Sequence, residues 1–305
     1  MCKMDGSRSR GGGAKLHPMD EHETLVAHVS DTARWAAACR ALESARQDPV
    51  FTDPLADRLA GERGYAIVAG GPRFGRTGWW HSVRAKLFDE LIMMALRSGC
   101  DMVLNLGAGF DTRPYRLDLP ADLVWVEADL PELLAEKELL LGGETARCLL
   151  TRRPVDLADP DARSAFLDAE LADASKALVL TEGFVYFLSD TAVRALALDL
   201  KRPEIAWWGV DFWNAAMHRI MAASTNDLLR SAPIVFAPRA GIAHFEALGW
   251  TPLEIHSIFE SAHRLRRLPP ALRPIAYLPQ PNPRKPSTRP LSVVARLACT
   301  DTTRR

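Results

Sequence analysis

A doubly wound α/β fold is predicted by two features of this sequence. From residue 101 onward, short apolar runs ("DMVLNLGAG", "LVWVEAD", "RCLLTRRPVDL", "KALVLTEG", "EIAWWGVDF") alternate with helical stretches. Strand and helix recurring in this way build a parallel sheet covered on both faces. Glycines and acids punctuate the ends of those runs, where sheets of this kind hold their ligands.

The chain before the first strand reads as helical. "SDTARWAAACRALESAR" is rich in alanine, with Ser30 or Asp31 expected at its N-cap. In "FTDPLADRLAG", Asp53 is expected to cap, Pro54 to open and Gly61 to stop a short helix. "GGPRFGRTGWWHS" reads as a loop facing a ligand, after which Ser82 caps a helix. In that helix Leu87, Phe88, Leu91, Ile92, Ala95 and Leu96 share one stripe, with Arg84 in the first turn. Between the strands, "PELLAEKELLLGG", "PDARSAFLDAELADAS" and "SDTAVRALALDL" are the connecting helices. "NAAMHRIMAASTNDLLR" follows the fifth strand, and a proline-studded loop leads into a final strand, "LSVVARLAC". There is no internal repeat.

Composition excludes several classes. The 305 residues carry 38 acids and 38 Lys plus Arg, so no overall field draws the chain to nucleic acid or an anionic membrane. The five cysteines are scattered, as reduced thiols in a cytoplasm are. The eight histidines form no metal-binding spacing. No apolar run reaches the ~18 residues of a membrane span, and the first 20 residues lack the apolar middle of a signal peptide. A soluble cytoplasmic protein with a disordered lead over residues 1–22 is expected, its oligomeric state left open.

The chemistry is concentrated in "NLGAGFDTRPYRL" and the strand ends that follow. Gly107 and Gly109 remove side chains where the first strand turns, so that backbone approaches a ligand. Asp129, about 20 residues on, is placed to bind ribose hydroxyls. A dinucleotide and S-adenosylmethionine both present a ribose. The dinucleotide fingerprint wants a third glycine where Thr112 stands, and Asp111 adds negative charge where two phosphates would lie, so electrostatics favours a ligand without pyrophosphate. Asp156 and Leu157 end the third strand, suited to the amine and ring of an adenine. Glu182 ends the fourth, suited to a ligand ammonium.

Together "TARWAAACRALESARQDPVFTDPLADRLAG", "VRAKLFDE", "VLNLGAGFDTRPYRL", "EADLPELLAEK", "VDL" and "VLTEGFVYFL" resemble the leucine carboxyl methyltransferase family, and within it the bacterial polyketide O-methyltransferase branch. The resemblance runs from about Thr32 to Leu297. It implies a Rossmann-like class I methyltransferase sheet (100–300) with a helical cap (23–99) and a lid helix near 212–230. It implies S-adenosylmethionine as cofactor, Arg84 on the methionine carboxylate, backbone approach at Gly107, ribose on Asp129, adenine framed by Asp156 and Leu157, and the methionine amine near Glu182. Arg113, Tyr115 and Tyr186 are candidates for the methyl acceptor, although the family's tyrosine usually falls one position after Tyr186. No catalytic residue and no metal is implied. The acceptor is expected to be a small molecule with a carboxyl or phenol. A protein carboxyl terminus is the alternative acceptor, and a catalytically silent S-adenosylmethionine-binding protein the alternative function.

Overall fold

The structure is a computed structural model that describes residues 29–71, 76–225 and 232–300. The lead over residues 1–22 and the end of the expected lid helix, 226–230, lie outside the described residues.

Among the described residues, seven strands form one sheet in the order β3-β2-β1-β4-β5-β7-β6. β1 (Met102–Leu106), β2 (Val124–Asp129), β3 (Leu149–Pro154), β4 (Ala177–Thr181) and β5 (Ile205–Trp213) are parallel, as expected. Every residue of β1 and β4 is buried, which is why these strands read as unbroken apolar runs rather than alternating ones. Neighbours along a strand face opposite layers. Val103, Leu178 and Trp207 pack with Leu87, Phe88 and Leu91 on one face, while Leu104, Val179 and Trp208 pack with Phe166, Leu167, Val193 and Leu196 on the other. The first of these layers is roofed by α3 (Trp79–Arg97), the second by α6 (Pro160–Glu170) and α7 (Asp190–Asp199).

Two helices, α1 (Val29–Ser44) and α2 (Ala56–Gly70), precede α3 and pack on each other. Their boundaries differ from expectation in instructive ways. Ser30 and Asp31 lie inside the first turn of α1 rather than capping it. Gly61 interrupts α2 without ending it, with φ 54° and ψ −178°. Ser82 is not a cap either. α3 starts three residues earlier, and the Ser82 hydroxyl donates back to the Gly78 carbonyl at 3.0 Å. A serine hydroxyl bonded to the carbonyl one turn back is compatible with the helix interior.

Connecting elements α4 (Arg113–Arg116) and α5 (Pro131–Leu141) follow β1 and β2. β5 runs on through Trp213, so the helix after it, α8, spans Ala215–Thr225 and begins later than expected. The hairpin that completes the sheet was half missed. β7 (Ser292–Cys299) runs antiparallel to β5, and β6 (Trp250–Ser257) is antiparallel to β7 at the edge. Pro252 and the bulge beside it interrupt the alternation of β6, and an edge strand tolerates both. Short helices α9 (Ala243–Glu246) and α10 (Ile258–Arg264) flank β6.

Because β1 lies between β2 and β4, the chain leaves β1 in one direction and returns to its other side. A crevice opens beyond the carboxyl ends of β1 and β4, where doubly wound sheets bind their ligands. α1 and α3 stand over that crevice.

Candidate active site

A cavity of about 960 Å³ fills this crevice, at the upper end of small-molecule sites and roomy enough for two ligands meeting end to end. The order of strands in the sheet sets the order of residues along it.

At the β3–β2 side, Asp129 ends β2. It is buried. Its two carboxylate oxygens accept from the backbone N–H groups of Gly109 (2.7 Å) and Leu130 (2.8 Å), so it stitches the glycine turn to the second strand. Burial raises its pKa against the pull of these two donors. Each oxygen keeps a lone pair. Asp156 and Leu157 follow β3. Asp156 is exposed and accepts from Ala158 N–H at 2.9 Å, which closes a tight turn. Leu157 is buried, and both residues line the cavity.

At the centre, Gly107 has φ 71°, and its N–H donates to Ala128 O at 2.8 Å. A Cβ there would come within 2.6 Å of the Phe184 ring. The glycine therefore makes room for Phe184, itself a wall of the cavity, as well as opening the backbone. Glu182 and Gly183 follow β4. Gly183 has φ 69°, donates its N–H to Asp211 at 2.7 Å, and a Cβ there would lie 3.2 Å from the Arg84 guanidinium. Arg84, from α3, donates Nε–H to Glu182 (3.0 Å) and Nη1–H to Asp211 (3.4 Å), beneath the Trp80 ring at 4.7 Å. Burial pulls its pKa down, but Asp211 and Glu182 more than offset that, so its pKa is raised. Its Nη2 donates to no group among the described residues.

Arg113 and Arg116 extend this into a buried network. Arg113 donates Nε–H to Asp89 (2.7 Å), Nη1–H to Asp111 (2.8 Å) and Nη2–H to Ala85 O (3.1 Å), and its Nη2 lies 2.7 Å from Glu182 Oε2. That last contact is an ion pair out of line for a hydrogen bond, which leaves Glu182 Oε2 an acceptor without a donor. Arg116 pairs with Asp89 at 2.7 Å. Asp111 is held well below the usual carboxylate range: burial acts to raise it, and the charges of Arg113, Lys137 and Arg116 overcome that. Arg113 lines the cavity, and three of its five N–H donors already go to Asp89, Asp111 and Ala85 O. Tyr115 is not on the cavity lining; its ring packs against the cluster formed with Leu133 and Leu141 of α5, and its hydroxyl accepts from Arg152 on β3. Tyr186 is buried and does line the cavity. Burial and the nearby Asp211 carboxylate raise its pKa well above its usual value.

Towards β5 and β7 the lining becomes apolar. Trp35, Trp80, Tyr186 and Trp213 form this wall with Met217. Trp80 lies edge-on to Trp213 at 5.5 Å, and Tyr186 is 5.0 Å from Trp213. Trp80 also donates its indole N–H to Ser292 at 3.1 Å. His81 is the histidine on the lining. Its Nδ1 lies 3.6 Å from Cys39 Sγ. Burial, then Arg84 and Arg40, hold its pKa well below the usual value, while burial pushes the Cys39 thiol up to about 12. Both groups are neutral near neutral pH.

Sequence reasoning missed Asp211, Asp89, Trp35 and His81. Only Asp211 carried a signal: a carboxylate inside the apolar run "IAWWGVDFW" has to be buried against a cation.

A seven-stranded sheet of this order, with its crevice at the ends of β1 and β4 and an acid at the end of β2, is the fold of class I methyltransferases. Comparison with known proteins agrees. The sequence profile of the leucine carboxyl methyltransferase family matches residues 33–200, and the chain belongs to that family. A candidate S-adenosyl-L-methionine-dependent methyltransferase of Parafrankia sp. is 35% identical over 213 residues, 66% of this chain and 68% of the relative. Another from Mycobacteroides abscessus is 31% identical over 211 residues, 61% of this chain and 68% of the relative. Among solved structures, a DUF574-family protein of Streptomyces avermitilis shares the fold, with TM-score 0.55 and 15% identity, over 90% of this chain and 99% of that one. A candidate methyltransferase from Thermobifida fusca does so with TM-score 0.51 and 15% identity, over 88% and 94%. The protein is an S-adenosylmethionine-dependent methyltransferase. No helix among the described residues is long and apolar enough to cross a membrane.

Proposed function

We propose that this methyltransferase acts on oxygen, methylating a carboxyl or phenolic group of a small aromatic or polyketide-type natural product in the cytoplasm. The observation that carries the reading is the continuity of one cavity from the polar strand ends to an aromatic wall of Trp35, Trp80, Tyr186 and Trp213. A protein tail could thread such a space, but a wall of large rings favours a flat, compact acceptor.

The residues present fit the cofactor. The spare lone pairs of Asp129 suit ribose hydroxyls, the undonated Nη2 of Arg84 suits the methionine carboxylate, and the orphaned Oε2 of Glu182 suits the ammonium. Leu157 and Asp156, on the same lining, would take the adenine. When bound, S-adenosylmethionine supplies a methyl group on a sulfonium. The chain's own part is positioning and exclusion of water, since holding reactants in register is worth about 7 to 11 kcal/mol. A carboxylate acceptor, whose ordinary pKa is about 4, is already ionised near neutral pH, and a phenol near ~10 needs a downward shift. His81, with its depressed pKa, is too weak a base to take a phenol's proton. On this reading kcat is flat with pH above the acceptor's own pKa.

The test is transfer of label from methyl-labelled S-adenosylmethionine to a panel of aromatic acids, phenols and carboxyl-terminal peptides. Labelled methyl esters or ethers of the aromatics support the reading. Label on peptide carboxylates alone overturns it, and cofactor binding with no transfer across the panel points to a binding protein.

A further inference from the structure

Four arginines line the cavity among the described residues, and three of them are committed. Arg40 pairs with Asp53 at 2.8 Å, Arg84 with Glu182 and Asp211, and Arg113 with Asp89, Asp111 and Glu182. The fourth, Arg289, has no carboxylate partner among the described residues. Its guanidinium donates only to the Pro279 carbonyl, and it is exposed.

Its backbone, by contrast, is held firmly. Buried Asn214, directly after β5, donates its side-chain N–H groups to the carbonyls of Ser287 (3.2 Å) and Arg289 (2.8 Å) and accepts from Leu291 N–H at 3.0 Å. The same oxygen accepts from Met217 N–H at 2.9 Å, at the start of α8. One side chain thus fixes the loop that carries Arg289 to the strand and helix that form the apolar wall. A loop fixed in this way loses little backbone entropy when the side chain it carries binds a ligand.

Its place along the cavity is set by the sheet. β2, which carries Asp129, and β5, which carries Asn214 at its end, are three strand spacings apart, about 14 Å at ~4.8 Å per strand. Arg289 therefore stands on the β5–β7 side of the cavity, across the sheet from Asp129, and its exposed side chain puts it at the rim.

We propose that Arg289 is a specificity residue that binds an acidic group on the acceptor, remote from the oxygen that receives the methyl group. The acceptor is then an amphiphile, with an apolar aromatic body against the tryptophans, the reacting oxygen inward and a carboxylate or comparable anion at the mouth. This rests on the small-molecule reading above and narrows it. An ion pair at an open mouth is partly screened, so its contribution is smaller than that of a buried pair.

Two dyes with one aromatic frame test it: 8-anilinonaphthalene-1-sulfonate, which is anionic, and N-phenyl-1-naphthylamine, which is neutral. Each is titrated by fluorescence into the full chain saturated with S-adenosylhomocysteine. Arg289→Ala is expected to weaken the sulfonate about 5- to 10-fold and the neutral dye less than about 2-fold, and Arg289→Lys to keep most of the sulfonate's affinity. Equal sulfonate affinity in wild type and Arg289→Ala, parallel loss of both dyes, or no sulfonate binding by wild type each overturns the proposal. Methyl transfer to the aromatic panel reports separately on the underlying reading, so that reading can stand while this inference falls.

Discussion

The two halves of the cavity are built in different ways. Its polar half comes from the ends of four consecutive parallel strands, and Gly107, Asp129, Asp156, Leu157 and Glu182 each sit at the last residue of a strand or within three positions past it. Its apolar half is assembled from α1, α3, the turn after β4, the end of β5, α8 and the loop before β7, brought together from Trp35 to Leu291. The first half is local chemistry repeated along a sheet. The second depends on tertiary packing, which is where related folds vary their substrates.

The difference can be probed first at the ion network beneath the polar half. Arg113→Ala leaves Asp89, Asp111 and Glu182 facing one another without their shared cation. Removing one partner from a buried charge cluster costs about 3 to 5 kcal/mol, so denaturant unfolding is expected to show a large loss of stability. A folded variant of wild-type stability, with only the acceptor KM raised, would return Arg113 to the acceptor site.

Arg84→Ala comes next. It removes the counter-charge proposed for the methionine carboxylate, and S-adenosylhomocysteine affinity should fall about 10- to 100-fold by calorimetry. Undiminished binding by the folded variant ends that assignment. On the apolar side Met217→Gln should leave S-adenosylhomocysteine affinity within about 2-fold and raise the KM for an aromatic acceptor about 3- to 10-fold. An equal loss of cofactor affinity would show that the two halves are not separable.

A further effect is one of pH. Burial lifts the Asp211 carboxyl to about 6 despite Arg84. A folded pKa above the unfolded value of 3.8 gives a contribution to stability that is complete below about pH 4, is lost as the pH rises through about 6, and is constant above that. Asp111, held low by its arginines, has the opposite sign: its contribution is present above the unfolded value and fades as acid protonates it. Unfolding curves of wild type and Asp211→Asn between pH 4 and 7 isolate the first term. Wild type should lose stability relative to the variant as the pH rises to about 6, and a constant difference would show that Asp211 is ionised throughout.

Much of the polar half was legible in the sequence, because Gly107, Asp129, Asp156, Leu157 and Glu182 all line the cavity and each lies at or just past the end of a strand that the alternation of strand and helix locates. What each does to its neighbours was not legible. Nothing near Gly107 in the chain says that Phe184 fills the space of its missing side chain, and nothing near Arg113 names Asp89, 24 residues earlier, as its partner. Tyr115 misled because four-residue α4 is too short for its facing to be read from periodicity. The edge strand β6 was overlooked because Pro252 and its bulge erase the period-two pattern that marks a strand. Trp35, His81 and Arg289 had no strand end beside them, so only the fold brings them to the cavity.

The main proposition is that the strand-end half binds the cofactor through its own polar groups, with Asp129 on the ribose. The decisive test is calorimetric titration of S-adenosylhomocysteine into wild type and Asp129→Ala, with unfolding measured in parallel because Asp129 also holds Gly109 and Leu130. Tight binding by wild type is predicted, with a loss of about 10- to 150-fold in the variant and a stability cost of about 1 to 3 kcal/mol from the two freed N–H groups. An unchanged dissociation constant in a folded Asp129→Ala would contradict it.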